Sequence, residues 1–145
     1  ANAVLLLLEI EKTVVEGAGA APLAALLNRS LRLGGAKVVL VLSGGNIDVT
    51  MVSRIIERGL VKDGRLVRLG VILRDQPGAL ARVTALIAET RANILHIEHD
   101  RAFARHAAIG ETEVELTLET SGRDHIETLT ARLLSAGYRV EERQA

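Results

Sequence analysis

Two short stretches combine residue types that do chemistry with a spacing that aims them at one small molecule. Ser43-Gly44-Gly45-Asn46 follows directly on the apolar run Val38-Val39-Leu40-Val41-Leu42. A run without alternation reads as a strand buried on both faces, and in open α/β sheets ligands sit at the carboxyl end of such strands. The two glycines let the backbone come close to a ligand. The second stretch is Asp75-Gln76-Pro77-Gly78-Ala79-Leu80. It reads as a strand-to-helix turn whose free backbone N–H groups, in a helix starting near Gly78, suit a carboxylate. Asp75 can accept from an ammonium group, and Asn93 and Ile94 open the next strand, where Asn93 offers its amide. Together they suit a free amino acid, although the same residues also make an ordinary turn.

Other constellations are weaker. Gly17-Ala18-Gly19-Ala20-Ala21-Pro22 departs from a dinucleotide fingerprint at its third position, where proline stands, and no clear strand precedes it. It reads as a packing motif at a helix entrance. His96 and His99 lie three apart, so a strand puts them on opposite faces; His96, Glu98 and Asp100 share a face, which a solvated sheet surface explains. His106 and His125 stand apart, no metal site is expected, and no Ser/His/Asp arrangement is supported. The lysines, Lys12, Lys37 and Lys62, read as solvated surface residues.

Composition limits the partners. The 18 basic and 18 acidic residues balance, so nothing favours nucleic acid or an anionic membrane. The absence of cysteine excludes disulfides, thiolate metal sites and thiol catalysis, and fits a cytoplasmic protein. With Phe103 and Tyr138 as the only aromatic residues, the core must be aliphatic and base stacking is not available. Val4 to Leu8 is far too short to span a membrane. The chain opens on alanine almost inside a helical pattern, which reads as a cut end.

Positioning these stretches requires two different segments. In residues 1–65 the pattern predicts helices over 3–13 and 17–28, a buried strand over 37–42, and an amphipathic helix over 48–58 ended by Arg58-Gly59. Residues 66–145 alternate more cleanly. The pattern predicts a strand around Val67–Leu73, a helix over Ala79–Thr90, and a strand from Asn93 to about Arg101 with Leu95 and Ile97 inward. A strand over Glu113–Glu119, a helix over Arg123–Ser135 capped by Gly137, and a strand over Tyr138–Glu142 follow. The order βαββαβ predicts an α+β, ferredoxin-like antiparallel sheet with two helices on one face. Its outer face would carry Arg68, Arg74, His96, Glu98, Asp100, Glu113, Glu115, Glu119, Arg139 and Glu141. With the third strand central, glutamates lie between an arginine strand and a histidine-bearing one.

Both segments resemble one family. Val15-Glu16-Gly17-Ala18-Gly19-Ala20-Ala21 and Leu42-Ser43-Gly44-Gly45-Asn46-Ile47-Asp48 resemble the carboxyl end of the catalytic domain of threonine dehydratases, pyridoxal-phosphate enzymes of fold type II. Ile56-Glu57-Arg58-Gly59-Leu60 with Gly64-Arg65 resembles their link to a regulatory region. Asp75 to Leu80, with Asn93-Ile94 and His99-Asp100-Arg101, resembles an ACT domain. The resemblance implies that Ser43 bonds the pyridine nitrogen of the cofactor, with Gly44, Gly45, Glu16 and Gly17 lining the same pocket. A hydroxyl partner leaves that nitrogen unprotonated and the ring a weaker electron sink. It also implies amino-acid effectors, branched-chain ones by the family's habit, held by Asp75, Gln76, Gly78, Ala79, Leu80, Asn93 and Ile94 where two ACT domains pair.

The family's Schiff-base lysine and glycine-rich phosphate loop lie upstream of the matching region and have no counterpart here. The chain by itself is therefore expected to hold no catalytic residue, to bind no cofactor and not to turn over substrate. The expected whole is an incomplete α/β segment of the catalytic domain at 1–65 followed by an ACT domain at 66–145. The parent would convert L-threonine to 2-oxobutanoate and ammonia, in isoleucine biosynthesis or threonine catabolism. The alternatives are a non-catalytic amino-acid-binding dimerisation module and a structural remnant without a ligand. Paired ACT domains and an unpartnered buried strand both predict self-association.

Overall fold

The computed structural model describes residues 1–28, 31, 33–100 and 108–143. The chain divides into two compact units, Ala1–Gly59 and Leu60–Ala145.

The first unit contains α1 (Asn2–Glu9), α2 (Ala21–Leu27) and most of α3 (Val49–Lys62). Its core is small: Ala3, Val4 and Leu7 of α1 bury against Val15 and Ala20, with Leu23, Ile47 and Ile55 partly covered beside them. Helix α1 stops earlier than the pattern predicts because Lys12 takes a left-handed φ of 55°. The Lys12 ammonium then donates to the Glu9 carbonyl at 2.6 Å. Helix α2 starts later, at Ala21, because Gly17 to Ala20 form a turn in which the Ala20 N–H donates to the Glu16 carbonyl at 3.0 Å. Pro22 fits the first turn, where its missing N–H costs nothing.

Helix α3 begins at a capped end. The Thr50 N–H and hydroxyl both donate to Asp48 Oδ1 at 2.8 Å. These bonds, the backbone one first, hold the Asp48 carboxyl below its ordinary pKa. The helix runs through Gly59 instead of ending there. A Cβ on Gly59 would lie 2.1 Å from Leu5 Cδ2, so this glycine serves close packing against α1. The stop comes at Gly64, at φ 68°, where Gly64 N–H meets the Val61 carbonyl at 3.1 Å and Arg65 N–H the Leu60 carbonyl at 2.8 Å. This is a Schellman cap.

Residues 37–42 are not a strand, contrary to the pattern. The run is irregular and largely solvent-facing, with Val39 87% and Val41 73% exposed. A strand buried on both faces needs a neighbour on each edge, and none of the described residues of this unit supplies one.

The second unit is a four-stranded antiparallel sheet in the order β2-β3-β1-β4. Its elements are β1 (Leu66–Arg74), α4 (Ala79–Glu89), β2 (Asn93–Asp100), β3 (Glu111–Glu119), α5 (Arg123–Ser135) and β4 (Arg139–Arg143). Residues 101–107, with the expected strand end at Arg101 and with His106, lie outside the described residues, as does the Asp100 side chain. Val67, Leu69, Val71 and Leu73 of β1 and Val114, Leu116 and Leu118 of β3 face the helices. Val83 and Ile87 of α4 and Ile126, Leu129 and Leu133 of α5 close the aliphatic core from the other side. The ferredoxin-like arrangement expected from the alternation is the one observed, with β3 central.

Two details differ. A bulge between Ile94 and His96 removes Leu95 from the ladder, so Ile94 turns to the core and Leu95 is 55% exposed. Ile97 stands opposite Leu116 on the helix side, yet at the sheet edge it stays 37% exposed. On the outer face, Arg68 bonds Glu115 at 3.3 Å as cross-strand complementarity suggests. Two further pairs span a whole strand: Arg139 and Arg143 of β4 reach Glu111 and Glu113 of β3 over the intervening β1. Gly70 makes the second crossing possible. A Cβ there would lie 2.9 Å from Glu113 Oε1 and 3.1 Å from Arg143 Nε.

Candidate functional site

The first candidate site lies at the end of β1. Gly78 adopts φ 82°, which turns the chain into α4 without a side-chain cap on the helix N-terminus. The Ala79 N–H is used by the Gln76 carbonyl at 3.2 Å and the Arg82 N–H by that of Gly78 at 3.1 Å. The N–H groups of Leu80 and Ala81 find no acceptor among the described residues. The turn Asp75–Leu80 lines a recess of about 200 Å³, completed by Leu73, Arg74, His99 and Thr112. That volume suits one free amino acid, and its walls combine helix N–H groups, a carboxylate and an imidazole with an apolar floor.

Neither His99 nor Thr112 was expected among the effector-binding residues. Sheet register accounts for both: Thr112 pairs with Leu73, and His99 pairs with Val114 on the helix side of the sheet. Thr112 precedes the start predicted for its strand. Reading the alternation back from Val114 would have placed it inward.

Asn93 lies elsewhere. It pairs with Glu119, which pairs with Leu66 at the start of β1, whereas Arg74, next to Asp75, pairs with Glu111. Eight residues along β3 separate the two ends, roughly 26 Å. Within one chain Asn93 therefore cannot share a small ligand with Asp75. Asn93 Nδ2 donates to Glu119 Oε2 at 3.3 Å and lines a different recess of about 470 Å³ with Thr90, Ser121 and His125. There the Ser121 N–H donates to His125 Nδ1 at 3.1 Å, which leaves Nε2 as the donor to the Thr90 carbonyl at 2.8 Å. His125 thus ties the end of α4 to the start of α5. Ile94 packs on the aliphatic core.

The second expected site lies in the first unit. Glu16 and Ser43 to Gly45 are brought together: the Glu16 N–H donates to the Gly44 carbonyl at 3.2 Å. Gly44, at φ 82°, carries no Cβ to strike Glu16 Oε1, which would lie 2.4 Å away. Gly19 allows a still closer approach, since a Cβ there would sit 2.0 Å from the Ser43 carbonyl oxygen. Gly17 adjoins this cluster in sequence and meets nothing within 4 Å of its Cβ position. Ser43, Gly44 and Gly45 are exposed. The cluster offers one hydroxyl on a glycine-shaped backbone, which fits a single polar contact to a ring nitrogen. It contains no lysine and no row of N–H groups for a phosphate.

No three histidine, aspartate or glutamate side chains gather as metal ligands among the described residues. His96 and Glu98 face outward, opposite Thr117 and Glu115. No helix is long and apolar enough to cross a membrane, among the described residues.

Residues 67–137 match the family model described as "ACT domain". The chain is 52% identical over 141 residues to an L-threonine ammonia-lyase of Geobacter sulfurreducens, covering 97% of this chain and 35% of that protein. It is 47% identical over 140 residues to an L-threonine ammonia-lyase of Thermotoga maritima, covering 97% and 34%. A catabolic L-threonine dehydratase of Staphylococcus aureus is 47% identical over 57 residues, covering 37% of this chain and 16% of that protein. The chain thus spans about a third of the length of the first two.

Proposed function

We propose that the chain, which is similar to L-threonine ammonia-lyases over 97% of its length and matches the ACT family model at 67–137, is the regulatory end of a threonine-deaminating enzyme and that its ACT domain senses a small free amino acid. The single observation that carries the sensing role is the recess at the uncapped start of α4, which Leu80, Asp75 and His99 line together. The amino acid's carboxylate takes the Leu80 N–H at the helix start, and Asp75 takes its ammonium group. An aliphatic side chain of the branched-chain type lies on Leu73 and Leu80.

The site is completed by a second copy. Strand β2 is a free edge with exposed Leu95 and Ile97. An antiparallel β2–β2 pair about a two-fold axis sets the Asn93 end of one strand beside the Asp100 end of the other. Each Asn93 then approaches the recess that His99 and the Asp75 turn form in the opposite copy. Pairing removes the exposed edge at the same time.

In the parent, pyridoxal phosphate supplies the electron sink for loss of the α-proton and then of the β-hydroxyl group. The Ser43 hydroxyl would donate to its ring nitrogen, and the Gly44-Gly45 backbone would shape that wall beside Glu16. The remaining walls, including the lysine, belong to the larger catalytic region.

Calorimetry with isoleucine, valine, threonine and serine tests the sensing role. Asp75→Ala and Asn93→Ala should each abolish the heat of binding. Mixing the two variants should restore about a quarter of the sites, because a mixed dimer keeps one intact site. No restoration would place the residues in one chain or out of the site, and no heat with the unmodified chain would leave a domain that binds none of these ligands.

A further inference from the structure

A second recess lies on the other side of the Asp75–Gly78 turn, and its origin is a register offset. Strand β1 runs on to Arg74, but β4 begins at Arg139 opposite Ile72. The two-residue overhang leaves a notch of about 500 Å³ between the end of β1, the first turn of α4 and the α5–β4 turn. Three guanidinium groups from three elements line it: Arg74 from β1, Arg82 from α4 and Arg139 from β4. Glu111 is the one carboxylate among the lining residues, and it is already held by Arg139 and by the Ala108 N–H. Two positive charges remain in a chain whose total is zero.

No second carboxylate lines the notch among the described residues. Arg82 sits in the first turn of α4, the positive end of the helix dipole, and that turn carries no acidic residue. Its Nη1 lies 3.4 Å from the Cβ position of Gly78, so the guanidinium folds back over the turn. Arg74 and Arg82 make no side-chain hydrogen bond or ion pair among the described residues. Arg74 contributes only its field to Glu111. The nearby C-terminal carbonyls of α5 do not consume these cations. They are taken by the Gly137 N–H, which meets Leu134 at 2.9 Å, and by the Tyr138 N–H, which meets Leu133 at 3.1 Å.

We propose that this notch binds a small organic phosphate monoester, with its dianion between Arg74 and Arg82 and its organic group against Tyr138 and the apolar wall of Ile72 and Ala79. Guanidinium forks match phosphate oxygens in pairs, and the volume exceeds what a bare phosphate fills. This notch adjoins the amino-acid recess, and Leu73, Arg74, Gln76 and Ala79 line both.

Titration calorimetry of the full chain at low salt, with phenyl phosphate, inorganic phosphate and succinate as probes, tests the assignment. Phenyl phosphate should bind most tightly. Arg82→Gln and Arg74→Gln should each weaken it about tenfold, the usual scale of one charge-assisted pair. Arg54→Gln, the same charge change on α3, should leave it unchanged. No heat with phenyl phosphate at about 10 mM would overturn the proposal. So would equal affinity for succinate or for inorganic phosphate, or equal weakening by Arg54→Gln. Both tested arginines are exposed, so the substitutions leave the core intact.

Discussion

Val38–Leu42 and Val67–Leu73 are both short runs rich in valine and leucine, yet the second is a central strand and the first an irregular segment in solvent. Intrinsic preference does not separate them. What differs is the supply of neighbours. Strand β1 has β3 and β4 on its two edges and α4 and α5 over its apolar face, all within one βαββαβ unit. Val39 and Val41 have no strand on either side among the described residues of their unit. Strand propensity is therefore a property of fit to a half-buried surface, and without that surface the run has nothing to fit.

Hydrogen exchange should bring out the contrast most strongly. Amides of Leu69, Val71, Val114 and Leu116 should exchange about a thousandfold or more slowly than those of Val38 to Leu42. Comparable protection in both runs would mean that the first run is paired in solution. Core truncation comes next. Leu129→Ala should lower the stability of the second unit by about 2–5 kcal/mol in denaturant titrations, while Val39→Ala should shift the transition by no more than about 0.5 kcal/mol. Gly70→Val should cost about 1–3 kcal/mol, because its side chain intrudes on the Arg143–Glu113 pair. A neutral result would show that the pair moves aside freely.

The smallest effect concerns acid. The Glu111 carboxyl is held below its ordinary pKa, first by the Ala108 N–H and then by Arg139. A depressed carboxylate stabilises fully above its unfolded value, and that contribution fades as pH falls through the lowered one. Glu111→Gln should flatten the acid side of the stability–pH curve of the second unit. Asp48, held down by Thr50, should do the same for the first unit through Asp48→Asn.

The second half was legible because its periodicity answers to neighbours inside the same segment. Inward Val67, Leu69, Val71, Val114, Leu116 and Leu118 were readable from alternation alone, as were the turn at Gly78 and the cap at Gly137. The bulge at Leu95 was not, since nothing in Asn93–Asp100 marks which residue leaves the ladder. Gly59 misled for a related reason: glycine ends helices and also permits close packing, and only Leu5, far away in sequence, decides between them. The pairing of Thr112 and His99 with the Asp75 turn depends on register across three strands. Asn93 and Asp75 look adjacent as the openings of successive connections, while antiparallel pairing sends them to opposite ends.

The bare backbone at Gly70 has a mechanical consequence. Strand order places β4 at the rim, bonded to β1 alone. Yet Arg143 and Arg139 hook onto β3, two strands in, one of them directly across the gap that Gly70 leaves open. The rim strand is thus riveted past its neighbour. A pull on the chain's last strand loads the middle of the sheet instead of unzipping its border, so β4 and β3 should yield together.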